Sequence, residues 1–189
     1  MQDAPILRYY AGSDEAFDEL CSAWRRRLVG FLTALGASWH DAEDLAHQTL
    51  YLVARTRVRT GRYDPGMGTF DAWILKIARN VWTDHLRQIG RHPERETAQD
   101  ADIGDGALLA THAEPARQET ATMLHELLMQ LPPEQREALI LHDFEGLSYR
   151  EAGETLGVPQ GTVASRRELG LTKLRAHWSA GHVREGVAT

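Results

Sequence analysis

Apolar residues recur at steps of three and four along most of this chain, and nowhere do they alternate with the period of two that a half-buried strand requires. Phe17, Leu20, Trp24, Leu28, Phe31, Leu32 and Leu35 predict a helix over 14–35, with Gly36 as its stop. A second helix is expected from His40 to about Arg57, with Leu45, Thr49, Leu52 and Val53 inward. The stretch Gly61 to Gly68 (GRYDPGMG) is a turn-rich loop. Thr69 to Ile89 then gives the clearest helix, burying Phe70, Trp73, Ile74, Ile77, Ala78, Val81 and Leu86. Trp82 lies at the edge of that stripe and is undecided between core and surface.

Residues 119–178 are helical again. Met123, Leu124, Leu127, Leu128 and Leu131 form one stripe, which Pro132 and Pro133 end. Ala138, Leu139, Leu141, His142 and Phe144 form the next, and Gly146 stops it. Ser148-Tyr149-Arg150-Glu151 fits a capping box, in which serine and glutamate satisfy each other's free amides. Gly157 closes that short helix and Pro159 opens the last, which runs to about Trp178 with Val163, Gly170, Leu171, Leu174 and Trp178 inward. Two helices about a tight glycine turn make a helix-turn-helix, whose second helix enters the major groove. The expected fold is all-α: two small helical domains joined by a flexible linker, the C-terminal one containing the helix-turn-helix. The expected boundaries are 1–91, a linker at 92–118, 119–178 and a short tail at 179–189.

Charge decides what these domains could do. The chain carries 21 Lys and Arg against 27 Asp and Glu, a net charge of −6 with His neutral. That total suits poorly a protein that grips DNA alone, because phosphate contacts dominate such affinity. Much of the acid lies in 92–118, which holds Glu94, Glu96, Asp100, Asp102, Asp105 and Glu114 against Arg95 and Arg117. Cations collect elsewhere. Lys76, Arg79, Asn80, Thr83 and Arg87 recur at steps of three and four on one helix face, a pattern that can follow a phosphate backbone and hydrogen-bond to bases. The lone Cys21 excludes an internal disulfide and a four-cysteine zinc site. The nine histidines include no close pair on one helical turn, so no metal and no cofactor is expected. No apolar run approaches the ~20 residues of a membrane span, and Met1 to Tyr10 carries no secretory signal; the expected location is the cytoplasm.

Asp41-Ala42-Glu43-Asp44-Leu45 with Gln48, then Phe70-Asp71-Ala72-Trp73-Ile74 to Ile77-Ala78-Arg79-Asn80, resembles region 2 of the group IV, or extracytoplasmic-function (ECF), sigma factors of the sigma-70 family. Leu131-Pro132-Pro133-Glu134-Gln135-Arg136, Gly146-Leu147-Ser148-Tyr149-Arg150-Glu151-Ala152 and Leu156-Gly157-Val158-Pro159-Gln160-Gly161-Thr162-Val163 resemble their region 4. The resemblance implies a transcription initiation factor with no catalytic site. Such a factor binds core RNA polymerase, directs it to promoter DNA and helps open the −10 region. It also implies a partner that holds the factor inactive, an anti-sigma protein often anchored in a membrane. A net acidic chain would then work on DNA because polymerase supplies much of the phosphate binding. The alternative is a stand-alone helix-turn-helix regulator whose N-terminal domain senses a signal.

Residue roles follow from the same resemblance. Asp41, Glu43, Asp44 and Gln48 would face polymerase, although acids at a helix start also arise from dipole capping alone. Lys76, Arg79, Asn80, Thr83 and Arg87 would contact the −10 element. Arg62, Tyr63, Asp64 and Met67 would form a pocket for a base pulled from the stack. Arg150, Gln160, Thr162, Ser165 and Arg166 would contact the −35 element. Here the chain departs from the family pattern: Ala164 stands where a base is common, Arg167 where a core residue is usual, and Glu168 and Leu169 where neutral or basic groove residues are usual. Base preferences therefore do not transfer, and Glu168 and Leu169 could instead mark a protein contact.

Overall fold

The computed structural model describes residues 4–91 and 115–185, and the acidic stretch between them lies outside the described residues. The chain divides into two compact units, one carrying the first four helices and the other the last four. The N-terminal unit comprises α1 (Ala4–Tyr10), α2 (Glu15–Leu35), α3 (Trp39–Arg55) and α4 (Phe70–Arg91), with a single 3-10 turn at Pro65–Met67 before α4. The C-terminal unit comprises α5 (Pro115–Met129), α6 (Pro133–Leu139), α7 (Tyr149–Leu156) and α8 (Gln160–Glu185), with a π-helical turn at Ile140–Phe144. Among the described residues there is no strand.

In the N-terminal unit, the stripe read from α2 is buried at Leu20, Trp24, Leu28, Phe31, Leu32 and Leu35. Leu45, Leu50 and Val53 of α3 and Phe70, Ile74, Leu75 and Ala78 of α4 are buried as well. Each such side chain contributes about 1.5–3 kcal/mol when removed from water. Trp24 meets Phe70 edge-on at 5.6 Å, the arrangement the ring quadrupoles favour. Arg27 lies over the Trp24 ring and donates to Asp71 at 2.6 Å, which ties α2 to the start of α4. Thr49 is fully buried on α3, and its hydroxyl donates to the Leu45 carbonyl at 2.8 Å, so its own proton has a partner.

Several apolar expectations in this unit shift, and Phe17 and Ile77 are only half-buried. Leu50 is buried and Leu52 only partly so, a rotation of the inward face of α3 toward Ala42 and Ala46. Trp73 is half-buried at the margin between the core and the polar stripe, while Trp82 is buried. Leu86 is 47% exposed rather than inward. α1 was not legible, since seven residues are too few for periodicity to register. It is held by tertiary contacts: Ile6 and Tyr9 are buried, and the Tyr9 hydroxyl donates to the Ala54 carbonyl at 3.0 Å.

The core of the C-terminal unit is Leu128, Leu131 and Leu139, with Leu124, Met129, Leu171 and Leu174 packed against it. α8 crosses α6 so closely that a Cβ on Gly170 would meet Leu139 Cδ1 at 2.7 Å. The capping box forms as read: Ser148 accepts from the Glu151 amide, and Glu151 accepts from the Ser148 amide. Gly157 ends α7 at φ 70°, a left-handed conformation that suits glycine. Gly153 has a different reason: a Cβ there would sit 2.7 Å from the Val158 carbonyl oxygen, so only glycine lets the turn fold back on α7. Helix ends also differ from expectation. α5 begins at Pro115 and α8 continues to Glu185, so 115–118 and 179–185 are helical rather than linker and tail. Trp178, just before that extension, is 47% exposed rather than inward. Met123 and Phe144 are exposed as well, each on the outer edge of its stripe.

Candidate functional site

The polar stripe of α4 faces away from a packed core. Lys76, Asn80 and Arg87 are exposed, and Arg79 and Thr83 are half-buried beside them. The Thr83 hydroxyl donates to the Arg79 carbonyl at 2.9 Å, four residues back along its own helix. Arg87 pairs with Asp84 at 2.8 Å, both side chains 65% exposed. An ion pair that open is worth little, so the guanidinium is easily released to another anion. The stripe therefore joins two exposed cations to a side-chain amide on neighbouring turns.

The loop before α4 divides its residues between surface and support. Met67 is 77% exposed and Arg62 and Asp64 are also exposed. Asp64 accepts from the Gly66 amide at 2.9 Å and so caps the 3-10 turn that displays Met67. Tyr63 is placed differently from its expected position in a pocket wall. It is 5% exposed, its ring packs on Phe70 at 5.3 Å and Trp73 at 5.8 Å, and its hydroxyl donates to the Gly68 carbonyl at 3.1 Å. Tyr63 supports the loop from beneath, and Met67, Asp64 and Arg62 are the loop residues left exposed. Two residues that sequence reasoning missed complete this support. The Tyr10 hydroxyl lies 3.0 Å from the Tyr63 amide nitrogen and 2.8 Å from Thr56 Oγ1, and the Arg62 guanidinium rests 4.5 Å above the Tyr10 ring. No spacing in the sequence links residue 10 to residue 63.

The acids of α3 part company. Asp41, Asp44 and Gln48 follow steps of three and four and share one helix face, whereas Glu43 points elsewhere. Glu43 accepts from Arg25 on α2 through two donors at 2.6 and 3.2 Å, and its side chain is 20% exposed. Asp41 is partly occupied by the N-cap: its carboxylate accepts from the Ser38 hydroxyl at 2.6 Å, and His85 of α4 stands 3.9 Å away. Asp44 and Gln48 are exposed. The dipole-capping reading thus fits Asp41 best, and the open anionic surface narrows to Asp44 with Gln48.

In the C-terminal unit, Gln160 and Ser165 are exposed and Thr162 and Arg166 half-buried along the first turns of α8. Arg150 on α7 is exposed and pairs with Glu154 at 2.9 Å. Arg150, Glu154, Val158, Pro159 and Gln160 edge a shallow recess of about 510 Å³ at the turn, which Thr162, Ser165 and Arg166 do not line. The Ser165 hydroxyl donates to the Thr162 carbonyl at 3.0 Å. Arg167, placed where the family pattern has a core residue, does not enter the core. It donates to both oxygens of Asp143 at 2.5 and 2.7 Å, and this carboxylate, set in the π-helical turn, pushes the guanidinium further up from its already high range. The π-helical turn supplies the anion, so the substitution is compensated locally. Glu168 and Leu169 are exposed, Leu169 by 55%.

Among the described residues no group of three or more His, Cys, Asp or Glu converges to hold a metal. No described helix is long and apolar enough to cross a membrane. Burial pushes the Cys21 thiol up from its ordinary range, with nearby Asp18 adding to the effect.

Comparison with known proteins gives a consistent result for both units. The Sigma-70 region 2 family model matches residues 20–92, and the Sigma-70, region 4 model matches residues 121–174. The ECF RNA polymerase sigma factor SigE of Mycolicibacterium smegmatis is 36% identical over 164 residues, covering 85% of this chain; the chain spans 60% of the length of that relative. The RNA polymerase sigma factor CarQ of Myxococcus xanthus is 32% identical over 168 residues, covering 89% of this chain and 92% of CarQ. Among solved structures, CnrH in complex with the cytosolic domain of CnrY aligns with a TM-score of 0.67 at 21% identity, covering 94% of this chain and 96% of that one. The sigma factor RpoE of Bartonella quintana, in complex with the anti-sigma factor NepR, aligns at 0.62 and 23% identity, covering 85% and 94%. At those identities the two structures speak to the fold.

Proposed function

The chain belongs to the ECF sigma factors of the sigma-70 family, and from that premise we propose how its surfaces divide the work. The N-terminal unit docks on core RNA polymerase through the α3 face of Asp44 and Gln48, with Asp41 at its edge. The same unit holds the opened −10 element along Lys76, Arg79, Asn80, Thr83 and Arg87. Cations hold phosphates, while an exposed amide can hydrogen-bond to a base edge. A base turned out of the stack meets Met67, Asp64 and Arg62 on the loop. The C-terminal unit places the start of α8 in the duplex at the −35 element, with Gln160, Thr162, Ser165 and Arg166 toward the groove and Arg150 at a phosphate. Polymerase performs the chemistry in the cytoplasm, and this chain contributes recognition and strand opening. The solved structural neighbours include CnrH in complex with the cytosolic domain of CnrY and the sigma factor RpoE in complex with the anti-sigma factor NepR, and we extend that to this chain: an anti-sigma protein, membrane-anchored or free, covers its polymerase-binding surface.

The observation that carries this reading is the one-sided α4 stripe, in which exposed Lys76 and Asn80 stand above a packed core. Asn80→Ala tests it. Because Asn80 is exposed, the substitution should leave the melting temperature and polymerase binding unchanged while lowering run-off transcription by about tenfold to a hundredfold, the worth of one good base contact. Unchanged transcription would remove Asn80 from the interface.

A further inference from the structure

We propose that Tyr10, at the C-terminal end of α1, is a positioning residue for the −10-reading loop, and that its hydroxyl sets base selectivity without touching DNA. The inference rests on the assignment of residues 62–67 to base recognition made above.

The proton count fixes the direction of the bond between Tyr10 and Thr56. Thr56 Oγ1 donates to the Val53 carbonyl at 2.6 Å, so its one proton is spent and it can only accept from Tyr10, 2.8 Å away. The Tyr10 phenol therefore donates to Thr56, and its oxygen accepts the Tyr63 amide at 3.0 Å. A single hydroxyl thus joins the end of α3 to the loop. Tyr63 is then pinned at both ends, its amide by Tyr10 and its own hydroxyl by the Gly68 carbonyl at 3.1 Å. Between these pins stand the residues that face outward, Asp64 and Met67. The Tyr10 ring adds a third restraint, holding the Arg62 guanidinium at 4.5 Å by cation–π attraction. Thr56 is 8% exposed and Tyr63 5%, with Tyr10 half-buried between them, so these part-buried bonds are only partly open to competing water. Discrimination between bases demands a site fixed to a fraction of an ångström, and here the fixing comes from a short helix outside the loop.

Tyr10→Phe keeps the ring, and with it the Arg62 contact, but removes the donor to Thr56 and the acceptor of the Tyr63 amide. The test uses the full chain with core polymerase on promoters that share one −35 element and differ base by base at −10. Tyr10→Phe should bind polymerase as the parent does, exchange the Tyr63 amide faster, and lose about tenfold of the discrimination between best and worst −10 sequences. Should Tyr10→Phe fail to fold, Thr56→Val carries the same test, since it removes the acceptor of the phenol proton. A parent-like base profile in whichever variant folds overturns the role of Tyr10 and leaves the loop assignment standing. A parent chain with no base preference at −10 overturns the loop assignment itself and the role of Tyr10 with it.

Discussion

Asp41, Glu43 and Asp44 are three acids within four positions, and their surroundings give them three different tasks. Asp41 serves the N-cap of α3, Glu43 holds Arg25, and Asp44 stays open with its side chain 72% exposed. Reversing the charge at Asp44 together with Gln48→Lys should weaken polymerase binding by at least tenfold in a fluorescence titration, with no change in melting temperature. Glu43→Lys should do the opposite: by setting a cation against Arg25 it should cost up to about 1 kcal/mol of stability before any effect on binding. A melting-temperature drop in the first variant, or none in the second, would reverse these roles. Cys21 offers a check on residue burial. With its pKa pushed up by burial, the thiolate fraction at neutral pH is smaller than in a free cysteine. Alkylation at pH 7 should run slower than for glutathione and rise to a comparable rate only at more alkaline pH. The sequence showed these acids and this thiol, but not their partners, because Arg25 and Glu43 meet only when α2 and α3 pack.

Among the elements, the helix-turn-helix owes its shape to a contact with no sequence signature. Gly157 was legible as a stop, and the capping box was legible from Ser148 and Glu151. Gly153 was not, because its need arises from the Val158 carbonyl of the following turn. Gly153→Ala should therefore destabilise the C-terminal unit by about 1–3 kcal/mol, although alanine is otherwise the better helix former. Thermal melts followed by the unfolding of that unit would show it; a gain in stability would mean that the turn relaxes freely. Long helices with full stripes, α2 and α4, could be read from periodicity because each buries a continuous face. α1 could not, since its stability comes from Tyr9 and Tyr10 reaching α3 and the loop. The exposure of Trp178 escaped because periodicity marks a repeating apolar position without showing whether another element covers it.

For the whole molecule, a net charge of −6 is compatible with DNA recognition because the cations are local and a larger partner is expected to supply most phosphate contacts. Composition left two alternatives, a local DNA-binding surface or phosphate contacts supplied by another protein, and the resemblance of both units to sigma factors named the polymerase. What the sequence left open was which polar residues remain available once the units fold, as Tyr63 beneath its loop and Arg167 on Asp143 illustrate. The most direct test is run-off transcription with purified core RNA polymerase on genomic fragments, alongside duplex binding by the chain alone. The account predicts initiation at defined sites that needs both proteins, with feeble binding of duplex DNA when polymerase is left out. Tight binding of an intact palindrome by the chain alone, with no association with polymerase, would contradict it.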